Sequence, residues 1–275
     1  MKEISRRALR DGSKIGFVPT MGFLHEGHLS LIRRVKEFSD IVVVSVFVNP
    51  TQFGPNDDFE RYPRNLARDA DLCIAEGVDY LFTPETEELY PAGSRTFVEV
   101  EGVSDVLEGE SRPGHFRGVA TIVLKLFEIV RPTVAAFGQK DAQQAIILRR
   151  MARDLMLDVE VLVLPIARDE DRLALSSRNK FLTAEQREAA TAIPRALEAA
   201  QHVVAEGQDR RDEIVAAARE VIEAQPLLEV DYIEVVDLET MDPVEVLRGE
   251  KMLVLAVRAG STRLLDNTVL RAPNR

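Results

Sequence analysis

The sequence has few residues that build covalent or metal cross-links: one cysteine, Cys73, and four histidines in 275 residues. A lone cysteine excludes an internal disulfide framework and any cysteine-based zinc site. Its place in an amphipathic stretch predicts a small hydrophobe on a helix rather than a nucleophile. Long apolar runs are missing too. The longest, 41–48, falls far short of the roughly 20 residues that cross a bilayer. The N-terminus, Met1 to Asp11, is charged and lacks the apolar core of a secretory signal. Together these absences predict a soluble cytoplasmic protein. Low-complexity tracts and solenoid-type repeats are also lacking.

Positive charge is in deficit. Against 46 Asp plus Glu stand 35 Lys plus Arg, for a formal net charge of −11. This argues against a protein that grips nucleic acid through its overall field, since phosphate contacts need a cationic face. A small anionic ligand remains open, because a local cluster of basic groups overrides the global field. What is present is an ordinary globular composition, 45% hydrophobic and 29% charged, enough for a sizeable core. The length suits one large domain or two ordinary ones.

The first half alternates short apolar runs with amphipathic stretches. Strands are expected at 14–19, 41–48, 80–82, 134–137 and 159–164, and helices at 28–38, 66–76, 119–129 and 141–154. Leu29, Ile32 and Val35 form one helical stripe. The β-branched run at 41–48 reads as a strand buried on both faces of a parallel sheet. Alternation of this kind implies right-handed βαβ units and an α/β, Rossmann-like doubly wound sheet. The character changes near Asn179. Thr183-Ala-Glu-Gln186 is a capping box opening a long helical region interrupted at Pro194. A helix at 211–224 and strands at 230–236, 253–258 and 264–270 follow, predicting a smaller α+β C-terminal domain. The division expected is residues 1–176 and 177–275.

The segment Pro19-Thr-Met-Gly-Phe-Leu-His-Glu-Gly-His28 sits where the first strand ends and the next helix begins. In open α/β sheets, ligands bind outside the carboxyl ends of the strands, and a helix amino end offers free N–H groups to phosphate. Gly22 and Gly27 let backbone approach a ligand closely. His25 and His28, three apart, share one face of the first turn and suit charge stabilisation at a phosphorus. A zinc site is disfavoured, since no further ligands accompany the pair.

His-x-Gly-His marks adenylyl-transferring enzymes that resemble class I aminoacyl-tRNA synthetases and small nucleotidyltransferases. Together with Phe47-Val-Asn-Pro-Thr-Gln-Phe53, Phe137-Gly-Gln-Lys-Asp141 and Leu175-Ser-Ser-Arg-Asn179, in this order, the set closely resembles the pantoate–β-alanine ligase (pantothenate synthetase) family. The resemblance implies two steps. Pantoate's carboxylate attacks the α-phosphate of ATP, giving pantoyl adenylate and pyrophosphate. β-Alanine's amine then displaces AMP to give pantothenate. It further implies magnesium on the ATP phosphates, a homodimer, and a C-terminal domain capping the ATP site.

Carried over residue by residue, the resemblance assigns catalysis to His25, His28, Lys140, Ser176, Ser177 and Arg178. ATP falls to Met21, Gly22, Phe23, Leu24, Glu26 and Gly27 besides the two histidines. Gly138, Gln139, Lys140, Asp141, Ala167, Leu175 and the Ser-Ser-Arg segment complete that set. This last segment resembles in role the mobile Lys-Met-Ser-Lys-Ser loop of class I synthetases. Gln52 and Gln144 fall to pantoate's polar groups, with Met21 and Val123 as walls for its dimethyl carbon and Asn49 positioning β-alanine or phosphate. Arg112, in the Gly-rich stretch 109–118, belongs to a lid whose arginine nears the triphosphate. No protein ligand for magnesium is assigned, Asp69 being one candidate. The chain departs from the family pattern at Gln139, Ala167, Leu175 and above all Arg172. A glycine is usual at the last, and a positive φ suits arginine poorly.

Three other readings are weighed. A related enzyme transferring AMP to a phosphorylated acceptor would want more Arg and Lys than Gln52 and Gln144 provide. A dead nucleotide-binding module would lack His25, His28, Lys140 or Arg178. A tRNA-charging synthetase would carry a basic appendage.

Overall fold

Two apolar runs set the first sheet. Ile15–Thr20 forms β1 and Ile41–Val46 forms β2, paired in parallel from Ile15 opposite Ile41 to Thr20 opposite Val46. Tyr80–Phe82 (β3), Val134–Gly138 (β4) and Glu160–Leu164 (β5) complete a sheet of order β3-β2-β1-β4-β5, with every pairing parallel. The computed structural model describes residues 1–55 and 57–272. These fall into two units, residues 1–139 with 143–165 and residues 140–142 with 166 onward.

The helices of the first unit are Lys2–Arg10 (α1), Glu26–Lys36 (α2), Leu66–Ala75 (α3), Thr86–Leu89 (α4), Glu108–Ser111 (α5), His115–Val130 (α6) and Ala142–Asp154 (α7). Leu29, Ile32 and Val35 of α2 pack with Val18, Val44 and Ala136 of the strands. Ile32 is fully buried, so Ile32→Ala removes about 2–5 kcal/mol. Strand order reverses beside β1, the switch point at which doubly wound sheets leave a crevice at their carboxyl ends. The architecture is the expected Rossmann-like one.

The second unit has helices Ala184–Ala190 (α8), Ala192–Ala205 (α9) and Arg211–Glu223 (α10). An antiparallel sheet of order β6-β7-β8 joins them, from Leu228–Val236, Glu250–Ala259 and Thr262–Arg271. Its core joins Ile193, Leu197, Ile214 and Ile222 to Val235, Leu253, Leu255 and Leu264. The expected capping box is present: Thr183 Oγ1 accepts from the Gln186 N–H, and Gln186 Oε1 accepts from the Thr183 N–H.

Three expectations are corrected. The helix break falls at Thr191 rather than at Pro194, which lies in the first turn of α9, where a missing N–H costs no intrahelical bond. The helix expected from 119 begins at His115, capped by Gly114 in the left-handed region. The unit boundary lies between Pro165 and Ile166 rather than near Ser176. Arginine–carboxylate pairs draw the 166–176 segment into the second unit. Arg168 bonds both oxygens of buried Asp266, at 2.7 and 2.9 Å. Arg187 bonds Asp169 at 2.6 Å and Asp171 at 2.9 Å, and Arg172 pairs with Glu198. Among the described residues, no helix is long and apolar enough to cross a membrane.

Candidate active site

β1 ends at Thr20, and the chain turns through Met21–Leu24 into α2, whose N-cap is His25. Three anchors fix the turn. Thr20 Oγ1 donates to the Ser45 carbonyl at 2.7 Å and accepts from the Gly22 N–H at 3.1 Å. Asp69 of α3, only 1% exposed, accepts from the Phe23 N–H at 2.8 Å and the Leu24 N–H at 2.7 Å. Arg68 donates to the Leu24 carbonyl at 2.7 Å and lies 5.3 Å over the Phe23 ring. Gly22 has φ +84°, and a Cβ there would stand 2.8 Å from Val46 Cγ1, so no other residue fits without movement. Phe23 itself has φ +54°, a left-handed conformation that needs outside support. The Asp69 carboxylate supplies it.

The loop delivers His25 and His28 half-buried to the amino end of α2. The His25 backbone N–H donates to His28 Nδ1 at 3.3 Å. With Nδ1 accepting, a neutral His28 carries its proton on Nε2. The rings lie 4.1 Å apart. Two imidazoles beside a helix amino end form a compact donor set for an anion. Of their neighbours, Glu26 is exposed and paired with Arg33, and the Gly27 carbonyl accepts from Ser30.

Gln52 is fixed in a polar knot. Its Oε1 accepts from Asn49 Nδ2 at 3.0 Å, and its Nε2 lies 3.4 Å from Met21 Sδ. Asn49, 1% exposed, also donates to the Gly118 carbonyl and accepts from Thr51 and Tyr90 hydroxyls. Every polar atom of the Asn49 side chain is thereby engaged, which makes it an orienter of Gln52. Burial raises the Tyr90 phenol, and its bonds to Thr51 and Asn49 only partly offset that, so it stays a neutral donor. Met21, Asn49 and Gln52, singled out separately in the sequence, thus come together. Val123 is 5% exposed on α6. On α7, Gln143 is buried and committed to the Glu108 N–H and the Val103 and Val106 carbonyls, whereas Gln144 is half-buried.

Gly138 closes β4, and Gln139 to Asp141 make one 3-10 turn. In the second unit, Lys140 Nζ lies 3.2 Å from Asp141 Oδ1, and the Lys140 carbonyl accepts from Asn267. The Leu175 N–H donates to the Ala167 carbonyl at 2.9 Å, and Ser176 caps a 3-10 turn by accepting the Arg178 N–H. Arg172 has φ +69°, the conformation anticipated where a glycine is usual. The Ser176–Arg178 segment therefore follows a stretch braced by four carboxylates.

Arg112 lies in the wall of a cleft in the first unit. It donates to Asp57 Oδ2 at 2.8 Å and to the Gln52 carbonyl at 3.3 Å, and lies 3.2 Å from His115 Nε2. Burial pushes the Asp57 carboxyl up, but bonds from Arg112 and the Gly54 N–H outweigh it, leaving the pKa below the usual carboxylate value. Sequence reasoning missed Asp57, His115 and the anchoring role of Asp69, because each acts through a contact distant along the chain. Asp69 is corrected as a magnesium candidate, both oxygens being turned onto backbone N–H groups. Among the described residues, no three His, Cys, Asp or Glu side chains gather as a metal site.

A family model described as pantoate–beta-alanine ligase matches residues 1–269. The chain belongs to the pantoate–β-alanine ligase family. It is 52% identical to the pantothenate synthetase of Pelotomaculum thermopropionicum over 96% of this chain and 94% of that one. It is 53% identical to the enzyme of that name from Thermosipho melanesiensis, over 98% and 96%. The pantothenate synthetase structure from Thermus thermophilus superposes with a TM-score of 0.90 at 47% identity, covering 93% of this chain and 92% of that one. The ligase from Francisella tularensis, solved with β,γ-ATP and β-alanine, gives 0.76 at 36% identity, covering 96% and 92%. Membership in this ligase family accords with the Rossmann-like sheet and the His25–His28 loop.

Proposed function

We propose that this protein joins pantoate to β-alanine at the expense of ATP, through pantoyl adenylate. The observation that carries the reading is the His25–His28 pair held at the amino end of α2 on a loop clamped by Asp69, in a chain of this ligase family. ATP and β-alanine occupy a relative solved with both.

In the first step a pantoate carboxylate oxygen attacks the α-phosphorus, and the bond to the bridging oxygen breaks to release pyrophosphate. His28 Nε2–H and the α2 amino end donate to the oxygens on which charge grows. Gln52 Nε2 donates to pantoate, with its orientation set by Asn49. Met21 and Val123 supply apolar wall, and Gln144 is a second amide for the same substrate. Lys140, Ser176, Ser177 and Arg178 hold the β- and γ-phosphates and the departing pyrophosphate, with Arg178 the permanent cation. In the second step the neutral amine of β-alanine attacks the acyl carbon. AMP departs with the C–O electron pair, and the nitrogen's extra proton is released. Magnesium accompanies ATP as a counter-ion of the triphosphate, with Asp69 serving the loop instead. A homodimer, as in the family resemblance, completes the proposal.

Pyrophosphate release from Mg-ATP with pantoate, with and without β-alanine, tests the reading. A stoichiometric burst without β-alanine and steady turnover with it are expected. Absence of pantoate-dependent pyrophosphate overturns it.

A further inference from the structure

Two consecutive residues of β8, Asp266 and Asn267, are buried, at 2% and 3% exposure, and the reaction steps give neither of them a part. At the edge of the sheet, β8 pairs with β7 in unbroken register, Asp266 opposite Leu255 and Asn267 opposite Val254. Consecutive strand residues face opposite sides of a sheet, so the two side chains serve different segments. Burial obliges each to find partners, because an unmet polar group inside a protein is costly. The partners belong to the two stretches of the second unit to which the proposed reaction gives the phosphates.

Asn267 Nδ2 donates to the Lys140 carbonyl at 3.2 Å. Lys140 sits in a single 3-10 turn, Gln139–Asp141, that follows Gly138. So short a turn after a glycine holds its own main chain weakly, and the Asn267 amide supplies an outside anchor. A lysine reaches its ligand on a flexible four-carbon stem, so the anchor fixes the point from which the ammonium reaches. Asp266 holds the other stretch. Its carboxylate takes both terminal nitrogens of Arg168, at 2.7 and 2.9 Å, and Arg168 also donates to the Arg172 carbonyl at 3.0 Å. Arg168 bridges to Ala174 across the turn, and Asn179 Nδ2 donates to the Ala174 carbonyl at 3.0 Å. The chain leading into Ser176–Arg178 is thereby tied to β8, which also packs on the 3-10 turn Ser177–Phe181. The Asn267 N–H donates to Asp266 Oδ1 at 2.8 Å and links the two holds.

We infer that Asn267 is a positioning residue acting through the main chain of Lys140, and that Asp266 is one acting through Arg168 on Ser176–Arg178, so that one strand of the second unit sets the spacing of the two cations that meet the ATP phosphates. The inference rests on the ligase reading and adds to it a pair of residues that touch no substrate.

Double-mutant cycles on nucleotide affinity test it, with Mg-ATP titrated calorimetrically into the full chain in the absence of pantoate. Asn267→Ala should raise the ATP Kd about fivefold, the loss of one neutral hydrogen bond. In a Lys140→Ala background that factor should fall below about twofold, and in an Arg178→Ala background it should persist. Arg168→Lys keeps a charge beside Asp266 but loses the two-pronged contact, and it should show the reverse pattern, with its effect lost with Arg178 and kept with Lys140. Should Asn267→Ala fail to fold, Asn267→Ser, too short to reach the carbonyl, takes its place in the cycle. Equal factors in both backgrounds overturn the inference, since a general weakening of the fold acts alike on both, and so does an unchanged ATP Kd in both single variants. Pantoate-dependent exchange of pyrophosphate into ATP reads the ligase reading separately. Exchange in wild-type enzyme with uncoupled cycles sinks the positioning roles alone. Coupled cycles without exchange sink the ligase reading and leave the positioning roles standing, and a wild-type protein that binds no ATP overturns both.

Discussion

Replacing Asp69 by asparagine tests how the Met21–Leu24 loop is held. The carboxylate is 1% exposed and takes two short backbone N–H donors, at 2.8 and 2.7 Å. Asparagine keeps one acceptor oxygen and turns an NH2 group toward the second donor. A buried N–H left without a partner costs about 1–3 kcal/mol, and converting a charged acceptor to a neutral one costs roughly another 1. The loop should therefore lose about 2–4 kcal/mol. Phe23 sits at φ +54°, so the unclamped turn has a cheaper conformation to relax into, and most of the loss should appear as local disorder. Adenylation, followed by pantoate-dependent pyrophosphate exchange, should fall about 30- to 1,000-fold, since each 1.4 kcal/mol is tenfold. The melting temperature should drop by less than the roughly 5–15 °C that global expression of the same energy would give at this size. Raising magnesium should restore nothing. Wild-type exchange in Asp69→Asn would refute the clamp, and recovery with added magnesium would return Asp69 to metal ligation.

His28→Ala removes the Nε2–H donor and should reduce adenylation about 10²–10³-fold, while the lost contact with the His25 N–H costs only about 1 kcal/mol by thermal melting. Gln52→Ala should chiefly raise the pantoate KM; an unchanged pantoate KM with a raised ATP KM would contradict its assignment. Arg172→Gly relieves φ +69° but loses the exposed pair with Glu198, so a small gain of about 1 kcal/mol or less is expected in denaturant melts. Burial, with the nearby Asp69 charge adding to it, pushes the Cys73 thiol up to about 11. Because its folded pKa is raised, the neutral thiol favours the fold below the ordinary thiol pKa, and that contribution fades as pH climbs toward the folded value. Iodoacetamide at pH 8 should accordingly react about a hundredfold more slowly with native protein than with unfolded chain.

The residues legible in the sequence are those whose role is written in their neighbours. The run at 41–48 could only be a doubly covered strand, and two histidines with two glycines after a strand could only be a helix entry. Gln143 and Gln144 separate by helical phase alone: one turns inward to Val103 and Val106, the other stays half-buried. Arg172 was legible because a side chain at a glycine position implies its own dihedral. The boundary was not, because it depends on Arg168 meeting Asp266, 98 residues away in the chain. Helix α1 escaped because it buries only Ser5 and Ala8, leaving no apolar stripe to read.

Asp69 shows why the remainder was hidden. As a sequence feature it is an acid on a helix, one of 46 acidic residues, and composition tempts a reader to give it to a metal. Its function comes from the partner it meets, a loop 46 residues earlier whose backbone cannot hold its own conformation. The same logic governs the net charge of −11. Acidic residues that look like a uniform shell are, at Asp69, Asp169, Asp171 and Asp266, the internal partners of backbone donors and arginines. Count alone therefore overstates the field an anion meets. The deciding quantity at the loop is the number of donors aimed outward, and there the carboxylate of Asp69 spends its charge on holding His25 and His28 in place.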